Sequence, residues 1–94
     1  MFTWHIQKAL SNFEKHGVSF EEACLVFEDT DALHGDDVKH SEREPRYFAV
    51  GLSSTRRVLT VVYTVRRLGD GKETIRIISA RRASRKERAA YFGR

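Results

Sequence analysis

The sequence predicts an α+β protein in which two N-terminal helices pack on an antiparallel sheet of three to four strands, followed by a C-terminal helix. Apolar residues recur at helical spacing before residue 28, and a helix-capping pattern begins at Ser84. Between them, three segments after Pro45 are rich in Val, Ile, Thr and aromatic residues, which favour strands. The 94 residues fit one domain, residues 1–94.

The first helix is predicted from Ile6 to about His16. Four apolar residues share one face of it at helical spacing, namely Ile6, Ala9, Leu10 and Phe13. We expect this face to pack on the sheet. Gly17 can adopt the left-handed conformation that closes a helix, so the helix is expected to end there.

A second helix is predicted directly after the first. Ser19 and Glu22 have the spacing of a capping box, in which each side chain satisfies a free amide of the first turn. Cys24 lies on the apolar face of this helix and is interpreted as a small buried residue rather than a nucleophile. The segment from Glu28 to Pro45 is highly charged and shows no periodicity, so we expect a loop there.

Three strands and a final helix are predicted in the second half of the chain. The strands cover Arg46–Ser53, Arg57–Arg67 and Glu73–Arg81. The connections between them are short, so consecutive strands should pair antiparallel. The final helix is expected to run from near Ser84 to about Phe92, because Ser84 and Glu87 repeat the capping-box spacing. Phe2–Trp4 is expected to add a short edge strand.

Pairing of Arg67 with Glu73 across the second hairpin would sort the strand residues into two faces. The core face would carry Leu59, Val61, Tyr63, Val65, Ile75 and Ile77. The opposite face would carry Arg66 and Arg76 on neighbouring strands, and we interpret it as the functional face.

Charge divides the chain at Pro45. Residues 1–45 hold four cations and ten anions, a net charge of −6, whereas residues 46–94 hold thirteen cations and three anions, a net charge of +10. Eleven of those thirteen cations are arginines, whose planar guanidinium binds phosphate or carboxylate through two parallel contacts. This asymmetry favours a polyanionic ligand. The alternative is that the acidic half neutralises the basic half within the fold.

The candidate phosphate-binding residues are the arginines of the second hairpin and the last helix: Arg66, Arg76, Arg81, Arg82, Arg85 and Arg88. Arginine does not release its proton near neutral pH, so proton transfer needs another group. His16 and Glu73 are the first candidates for that role, ahead of Tyr63 and Glu87. The structural alternatives are an ion-pair partner for Glu73, a helix cap for Glu87, core packing for Tyr63 and a helix-end charge for His16.

If RNA is the ligand, its ribose 2′-hydroxyl can attack the adjacent phosphate, so the reaction requires neither a metal ion nor another cofactor. The segment from His34 to His40 carries two imidazoles and two carboxylates, but its spacing fits no metal motif, and we expect a solvated loop. No stretch is long and apolar enough to cross a membrane. The N-terminus lacks a secretory pattern and Cys24 has no intrachain disulfide partner, so we predict a cytoplasmic protein.

Two segments in this order are the most specific feature of the chain: Lys15-His16-Gly17-Val18 and Arg76-Ile77-Ile78-Ser79-Ala80-Arg81. Together with Lys8-Ala9, Phe20–Ala23, Arg57–Leu59 and Val62–Thr64, they resemble the BrnT family, the toxin components of bacterial type II toxin–antitoxin pairs. The likeness spans almost the whole chain.

The resemblance implies a fold similar to RelE-type ribonucleases and a metal-independent endoribonuclease activity that inhibits translation and growth. Arg66, Arg76 and Arg81 match family motifs, and Glu73 supplies a carboxylate between them. The predicted catalytic residues are therefore Arg66, Arg76, Arg81, Glu73 and His16. The predicted RNA-binding residues are Lys15, Arg82, Arg85 and Arg88.

The resemblance also implies an antitoxin partner of the BrnA kind, and the toxin would reach operator DNA only through that antitoxin. A dimer and a toxin–antitoxin heterotetramer both fit this expectation. Two other functions stay open. The chain could be a non-catalytic basic module that binds RNA or an acidic protein, or a degenerate toxin that retains only antitoxin binding.

Overall fold

The computed structural model describes residues 1–40 and 43–93, which form five strands and three α-helices. In chain order these are β1 (Phe2–Thr3), α1 (Ile6–His16), α2 (Phe20–Cys24), β2 (Leu33–Asp36), β3 (Tyr47–Leu52), β4 (Val58–Arg67), β5 (Glu73–Arg82) and α3 (Arg85–Phe92). The sheet order is β1-β5-β4-β3-β2, with β1 parallel to β5 and the other neighbours antiparallel. No helix in the described ranges has the length and apolar character that crossing a membrane requires.

The α+β class is confirmed. The predicted sheet is wrong in two respects, because it has five strands rather than three to four and because β1 and β5 pair in parallel. Strand β2 lies within the segment predicted as a loop. An edge strand pairs through its backbone and needs no apolar alternation, so the sequence pattern did not reveal it. Gly35 of this strand lies against the ring of Phe48, where a Cβ atom would approach a ring carbon to 2.6 Å. Residues 41 and 42 of the predicted loop lie outside the described residues.

The helix boundaries follow the predicted capping residues. Helix α1 is closed by Gly17 at φ 68°. At the start of α3 the Ser84 side chain accepts from the Glu87 amide and the Glu87 carboxylate accepts from the Ser84 amide, so the predicted capping box is complete. In α2 only half of the box forms. Ser19 accepts from the Glu22 amide at 3.0 Å, while the Glu22 carboxylate binds elsewhere.

The carboxylate of Glu22 ties α2 to the turn between β3 and β4. It forms a salt bridge with Arg57 and accepts hydrogen bonds from the hydroxyls of Ser53 at 2.6 Å and Thr55 at 2.7 Å. The hydrogen bonds from Arg57 are the main reason that the pKa of Glu22 is lowered to about 2. Arg57 also donates to the carbonyl of Gly17 at 3.2 Å, so one cation links the end of α1 to α2.

The apolar stripe of α1 does not pack on the sheet as expected. Ile6 and Phe13 are 63% and 55% exposed, whereas the polar Asn12 is buried. Asn12 Nδ2 donates to the carbonyl oxygens of Ala80 at 2.8 Å and Val18 at 3.0 Å, and Asn12 Oδ1 accepts from the Ala80 amide at 3.1 Å. This side chain takes the place of a neighbouring strand along the part of β5 that β1 does not reach, where backbone groups need partners.

The predicted pairing of Arg67 with Glu73 is confirmed, and the register that it implies holds as far as Tyr63 and Ile77, beyond which the pairing is shifted by one residue. Four residues of the predicted core face are buried, namely Leu59, Val61, Tyr63 and Ile77. Ile75 is partly buried against them. Val65 is the exception at 39% exposure, because β3 ends its pairing with β4 at Tyr63 and leaves Val65 without a neighbour on that side.

A bulge divides β5 into two halves. The adjacent residues Tyr63 and Val62 of β4 pair with Ile77 and Ser79 of β5, so Ile78 is an extra residue without a partner in β4. A bulge shifts the alternation of side chains by one, so Ile77 and Ala80 both lie in the core although they are three positions apart. Ile78 and Ser79 lie on the opposite face of the sheet, beside α3.

Helix α3 covers part of this opposite face. Its Tyr91 packs against Val50 and Val58 in a second buried cluster. The Tyr91 hydroxyl donates to Asp29 Oδ2 at 2.5 Å, and the same oxygen accepts from the Leu52 amide at 2.9 Å. Asp29, a residue of the predicted loop, therefore anchors the last helix to the sheet.

Candidate functional site

A groove of about 710 Å³ lies between α3 and the uncovered part of the sheet. We call it the α3 groove. Its floor includes apolar side chains from three strands, Phe48, Val62 and Ile78. Its charged residues are three cations, Arg46, Arg81 and Lys86, and two anions, Asp37 and Glu87, so the net charge is positive. Apolar surface combined with positive charge suits a ligand that carries flat rings and negative charges, as single-stranded nucleic acid does.

Arg81 is held in the wall of the α3 groove by Glu87. Its Nη1 and Nη2 donate to the two carboxylate oxygens of Glu87 at 2.7 Å and 3.0 Å. Glu87 Oε1 also accepts from the Thr60 hydroxyl at 2.9 Å and from the Ser84 amide at 2.8 Å. Because the contact is made at two points, it fixes the plane of the guanidinium and joins β5 to α3.

The same contacts set the protonation of Glu87. Hydrogen bonds from Arg81 lower the pKa of Glu87 to about 2, and the Ser84 amide and Thr60 hydroxyl act in the same direction against partial burial. A carboxylate with so low a pKa is a weak base near neutral pH. The geometry therefore favours Glu87 as the cap of α3 and the orienting partner of Arg81, and not as a proton acceptor.

We expect acid to destabilise the protein through Glu22 and Glu87. The pKa of each is about 2 in the folded chain, against an ordinary value of 4.5. Because the folded values are the lower ones, each carboxylate stabilises the fold above about pH 4.5, and this contribution disappears as the pH falls toward 2. The loss in free energy of unfolding is up to about 3 kcal/mol for each group.

Urea denaturation between neutral pH and about pH 2.5 measures this loss. The Glu22→Gln variant should be less stable than the wild type at neutral pH and should approach it in acid, because the variant has no carboxylate to protonate at this position. A wild-type free energy of unfolding that stays constant from about pH 5 to about pH 2.5 would contradict the prediction.

A second depression, of about 550 Å³, opens between α1 and β5, and we call it the α1 cleft. Its charged and titratable residues are Lys8, Glu14, Lys15 and His16. Ile78 and Ser79 line both the α1 cleft and the α3 groove, so the two depressions meet at the bulge of β5. The structure thus places two predicted catalytic residues, His16 and Arg81, in depressions that share Ile78 and Ser79, and we call this shared boundary the junction.

The other two predicted arginines lie further along the same strands. Arg76 is half-buried, two residues before Ile78, and pairs with Thr64 of β4. Arg66 is exposed and pairs with Thr74, so Arg66 and Arg76 are diagonal neighbours on adjacent strands, as the sequence predicted. Neither residue lines the α3 groove or the α1 cleft.

Glu73 lies at the open end of the hairpin, where it forms a salt bridge with Arg67 at 3.1 Å between exposed side chains. Glu73 and Arg81 are eight residues apart on one strand, a separation of about 25 Å. A single phosphate therefore cannot contact both residues. The structure does not bring Glu73 to the junction of His16 and Arg81.

The predicted RNA-binding residues fall in separate places. Lys15 lies in the α1 cleft. Arg82 and Arg88 line a third depression on the side of α3 that faces away from the α3 groove. Arg85 is exposed at the first position of α3. The basic residues therefore surround the start of α3 rather than forming one patch.

A further titratable pair lies on the core face of the sheet. The Tyr63 hydroxyl lies 3.0 Å from His34 Nδ1, and the Phe27 ring packs edge-on against Tyr63. Burial raises the pKa of Tyr63, so its hydroxyl stays neutral. Sequence reasoning missed this pair because His34 lies in the predicted loop. Across residues 1–40 and 43–93, no group of three His, Cys, Asp or Glu side chains is arranged to hold a metal ion.

Sequence reasoning also missed two cationic residues of the groove, Arg46 and Lys86. The position of Lys86 could have been predicted. The capping box fixes the start of α3, and the helical period then places Lys86 on the same face as Ala90, which also lines the groove. Arg46 carried no such signal, since its position depends on the pairing of β3 with a strand that the pattern did not reveal.

Comparison with known proteins adds independent information. The chain matches a family model over residues 4–87, and that family is described as "Ribonuclease toxin, BrnT, of type II toxin-antitoxin system". The matched span includes α1, strands β2 to β5 and both sides of the junction, His16 and Arg81. A search of curated proteins found no match to the chain.

Proposed function

The chain belongs to the BrnT family, the ribonuclease toxins of type II toxin–antitoxin systems, and from this premise we propose that it is a metal-independent endoribonuclease. RNA is cleaved by attack of a ribose 2′-hydroxyl on the adjacent phosphate, and unopposed cleavage inhibits translation and growth. The observation that supports this proposal is the junction at Ile78 and Ser79, where a depression bearing His16 meets a groove bearing Arg81.

In the proposed reaction the 2′ oxygen attacks phosphorus, and the bond from phosphorus to the 5′ oxygen breaks. One product ends in a 2′,3′-cyclic phosphate and the other begins with a free 5′-hydroxyl. A base takes the proton of the 2′-hydroxyl, and an acid gives a proton to the departing 5′ oxygen. His16 is the group proposed for proton transfer at this junction, because an imidazole ring has one nitrogen that can accept a proton and one that can donate it.

Arg81 is proposed to stabilise the additional negative charge that develops on the phosphate. A guanidinium has five N–H donors. Glu87 takes two of those of Arg81, and the carbonyl of Arg82 takes a third at 3.3 Å. The remaining donors are available to a phosphate oxygen, while Glu87 holds the group in place. Arg66, Arg76 and Glu73 act along the RNA strand, away from the reacting phosphate.

A type II toxin has an antitoxin partner, and we propose that the partner here is BrnA-like. In this proposal the antitoxin neutralises the toxin in the cytoplasm, and the complex reaches operator DNA only through the antitoxin. A toxin–antitoxin heterotetramer is the proposed assembly. The mixed sheet with helices on both faces supports a fold similar to RelE-type ribonucleases.

Incubation of the purified protein with a structured RNA in EDTA tests the proposed function. We expect fragments that end in 2′,3′-cyclic phosphate. His16→Ala should slow cleavage by about 100-fold, because proton transfer is lost. Arg76→Ala should slow it by about 10-fold, because a contact with the RNA strand is lost. Lys72→Ala, in the exposed turn between β4 and β5, is the control and should cleave at the wild-type rate.

If free RNA is not cleaved, the same proteins are tested on translating ribosomes, with circular dichroism confirming that each variant is folded. Cleavage that requires a divalent cation would contradict the metal-independent mechanism. A folded wild type that cleaves neither substrate would contradict the enzymatic proposal and favour a non-catalytic binding module or a degenerate toxin.

A further inference from the structure

Several arginines converge on a depression at the side of α3 that faces away from the α3 groove. It has a volume of about 410 Å³ and is lined by Arg56, Arg57, Val58, Arg82, Ala83 and Arg88. We call it the arginine pocket. Arg57 is neutralised by Glu22, but within residues 1–40 and 43–93 no salt bridge engages Arg56, Arg82 or Arg88. Like charges around one depression repel one another, and an anion bound between them removes that repulsion.

The backbone of Arg56 gives a second, independent observation. Arg56 lies in the turn between β3 and β4, where its amide donates to the Ser53 carbonyl at 3.1 Å and the Ser53 amide donates to the Arg57 carbonyl at 2.9 Å. Its φ is 60°, and in the described part of the chain it is the one residue other than glycine with a positive φ. A side chain at such a position strains the backbone, and glycine would not.

Strained residues persist where the surrounding structure holds them in place, and they are concentrated at binding sites and other functional sites. Arg56 lines the arginine pocket, and the turn is already stabilised by the salt bridge between Arg57 and Glu22. The charge of Arg56 is therefore better explained by ligand binding than by stabilisation of the turn. Arg88 lines the pocket from α3, and its guanidinium also lies 5.5 Å from the centre of the Phe92 ring. The pocket therefore presents guanidinium groups from a turn, a strand end and a helix.

We propose that the arginine pocket binds a backbone phosphate of the RNA strand outside the cleavage junction. Arg56, Arg82 and Arg88 are its binding residues. The inference rests on the proposed function in one respect, namely that the phosphate belongs to RNA. RNA is favoured over an acidic protein segment because Arg85 and Lys86, on the first turn of α3, continue the positive charge from the arginine pocket to the α3 groove. A strand that occupies the groove can thus reach the pocket around the end of α3.

The test uses two variants of the full chain, Arg56→Gly and Arg82→Gln, with Lys39→Gln as the charge-matched control. Lys39 is exposed and lies beyond the opposite end of β3. The probe is a single-stranded RNA with a 2′-O-methyl group on every ribose, which cannot undergo attack by a 2′-hydroxyl. Its binding is measured by fluorescence anisotropy over a range of salt concentrations, and the melting temperature of each variant is recorded.

We expect Arg56→Gly to change stability and binding in opposite directions. Relief of the backbone strain should raise the melting temperature by about 4 °C. Loss of the charge should weaken RNA binding by about threefold to tenfold at low salt and reduce the slope of log affinity against log salt by about 0.7. Arg82→Gln should reduce the slope similarly without the gain in melting temperature. Lys39→Gln should leave the slope unchanged.

The inference is overturned if Arg56→Gly and Arg82→Gln bind the RNA with the wild-type salt slope, or if Lys39→Gln weakens binding as much as they do. It is also overturned if these two variants lose affinity for polyglutamate but not for RNA, because the pocket would then serve an acidic protein. Cleavage is scored separately. If the wild type cleaves RNA and the pocket variants bind RNA as tightly as the wild type, this inference alone is overturned. If the pocket variants bind RNA more weakly but the wild type does not cleave it, this inference is supported and the proposed function is overturned.

Discussion

Replacement of Asn12 by alanine is expected to lower the free energy of unfolding by about 3–5 kcal/mol, a large part of the stability of a domain of this size. The variant loses the hydrogen bonds that Asn12 makes with both backbone groups of Ala80 and with the Val18 carbonyl. Each buried backbone group left without a partner costs about 1–3 kcal/mol. The melting temperature should fall by roughly 15–25 °C.

Ser11→Ala provides the matched control, because Ser11 is the preceding residue of α1 and is exposed. It should change stability by less than about 0.5 kcal/mol. Hydrogen exchange adds a local measurement, since the Ala80 amide should exchange much faster in Asn12→Ala than in Ser11→Ala. If Asn12→Ala melts within about 3 °C of the wild type, the edge of β5 has another source of hydrogen bonds and the interpretation is wrong.

Replacement of Arg81 by glutamine is expected to slow RNA cleavage by about 100–1000-fold in a protein that remains folded. Two effects contribute. The guanidinium that stabilises the reacting phosphate is lost, and the Glu87 carboxylate is left unneutralised in the groove, where it repels the RNA. With a pKa of about 2, Glu87 keeps its charge unless the loss of Arg81 raises that value by several units.

The double variant Arg81→Gln/Glu87→Gln separates the two effects. Removing both charges should recover part of the affinity for RNA, seen as a lower KM, while kcat stays low. Glu87→Gln alone retains Arg81 and should keep most of kcat, because the glutamine oxygen can still accept from Thr60 and Ser84. Wild-type kcat in Arg81→Gln would show that Arg81 serves only to hold α3 on the sheet.

Local features of this fold could be predicted from sequence, and long-range ones could not. The ends of α1 and α3 were predicted correctly because Gly17 and the pair of Ser84 and Glu87 act within one helical turn. The pairing of Arg67 with Glu73 followed from the short turn between β4 and β5. The burial of Asn12 was not predicted, because it depends on a strand edge 68 positions away in the chain.

The candidate site was predictable in composition but not in arrangement. Clustered arginines in the second half of the chain indicated phosphate binding, and Arg81 and His16 do border one junction. The ion pair of Arg81 with Glu87 was not predicted, because the capping role of Glu87 was interpreted separately from the arginines. The distance of Glu73 from this junction follows from the length of β5, because an extended strand keeps residues eight positions apart far from each other.

The bulge at Ile78 determines which face of the sheet the last residues of β5 occupy. Ahead of the bulge, Ile77 faces the core, and after it the next inward residue is Ala80. If Ile78 were taken into regular pairing with β4 and no residue were lost, Arg81 would turn inward and the groove and core faces would be exchanged for the rest of the strand, whereas deletion of Ile78 itself would leave Arg81 opposite Thr60 on the groove face. The extra residue at the bulge therefore determines the face on which Arg81 lies, and a β5 without this irregularity but with the same number of residues would place Arg81 outside the groove.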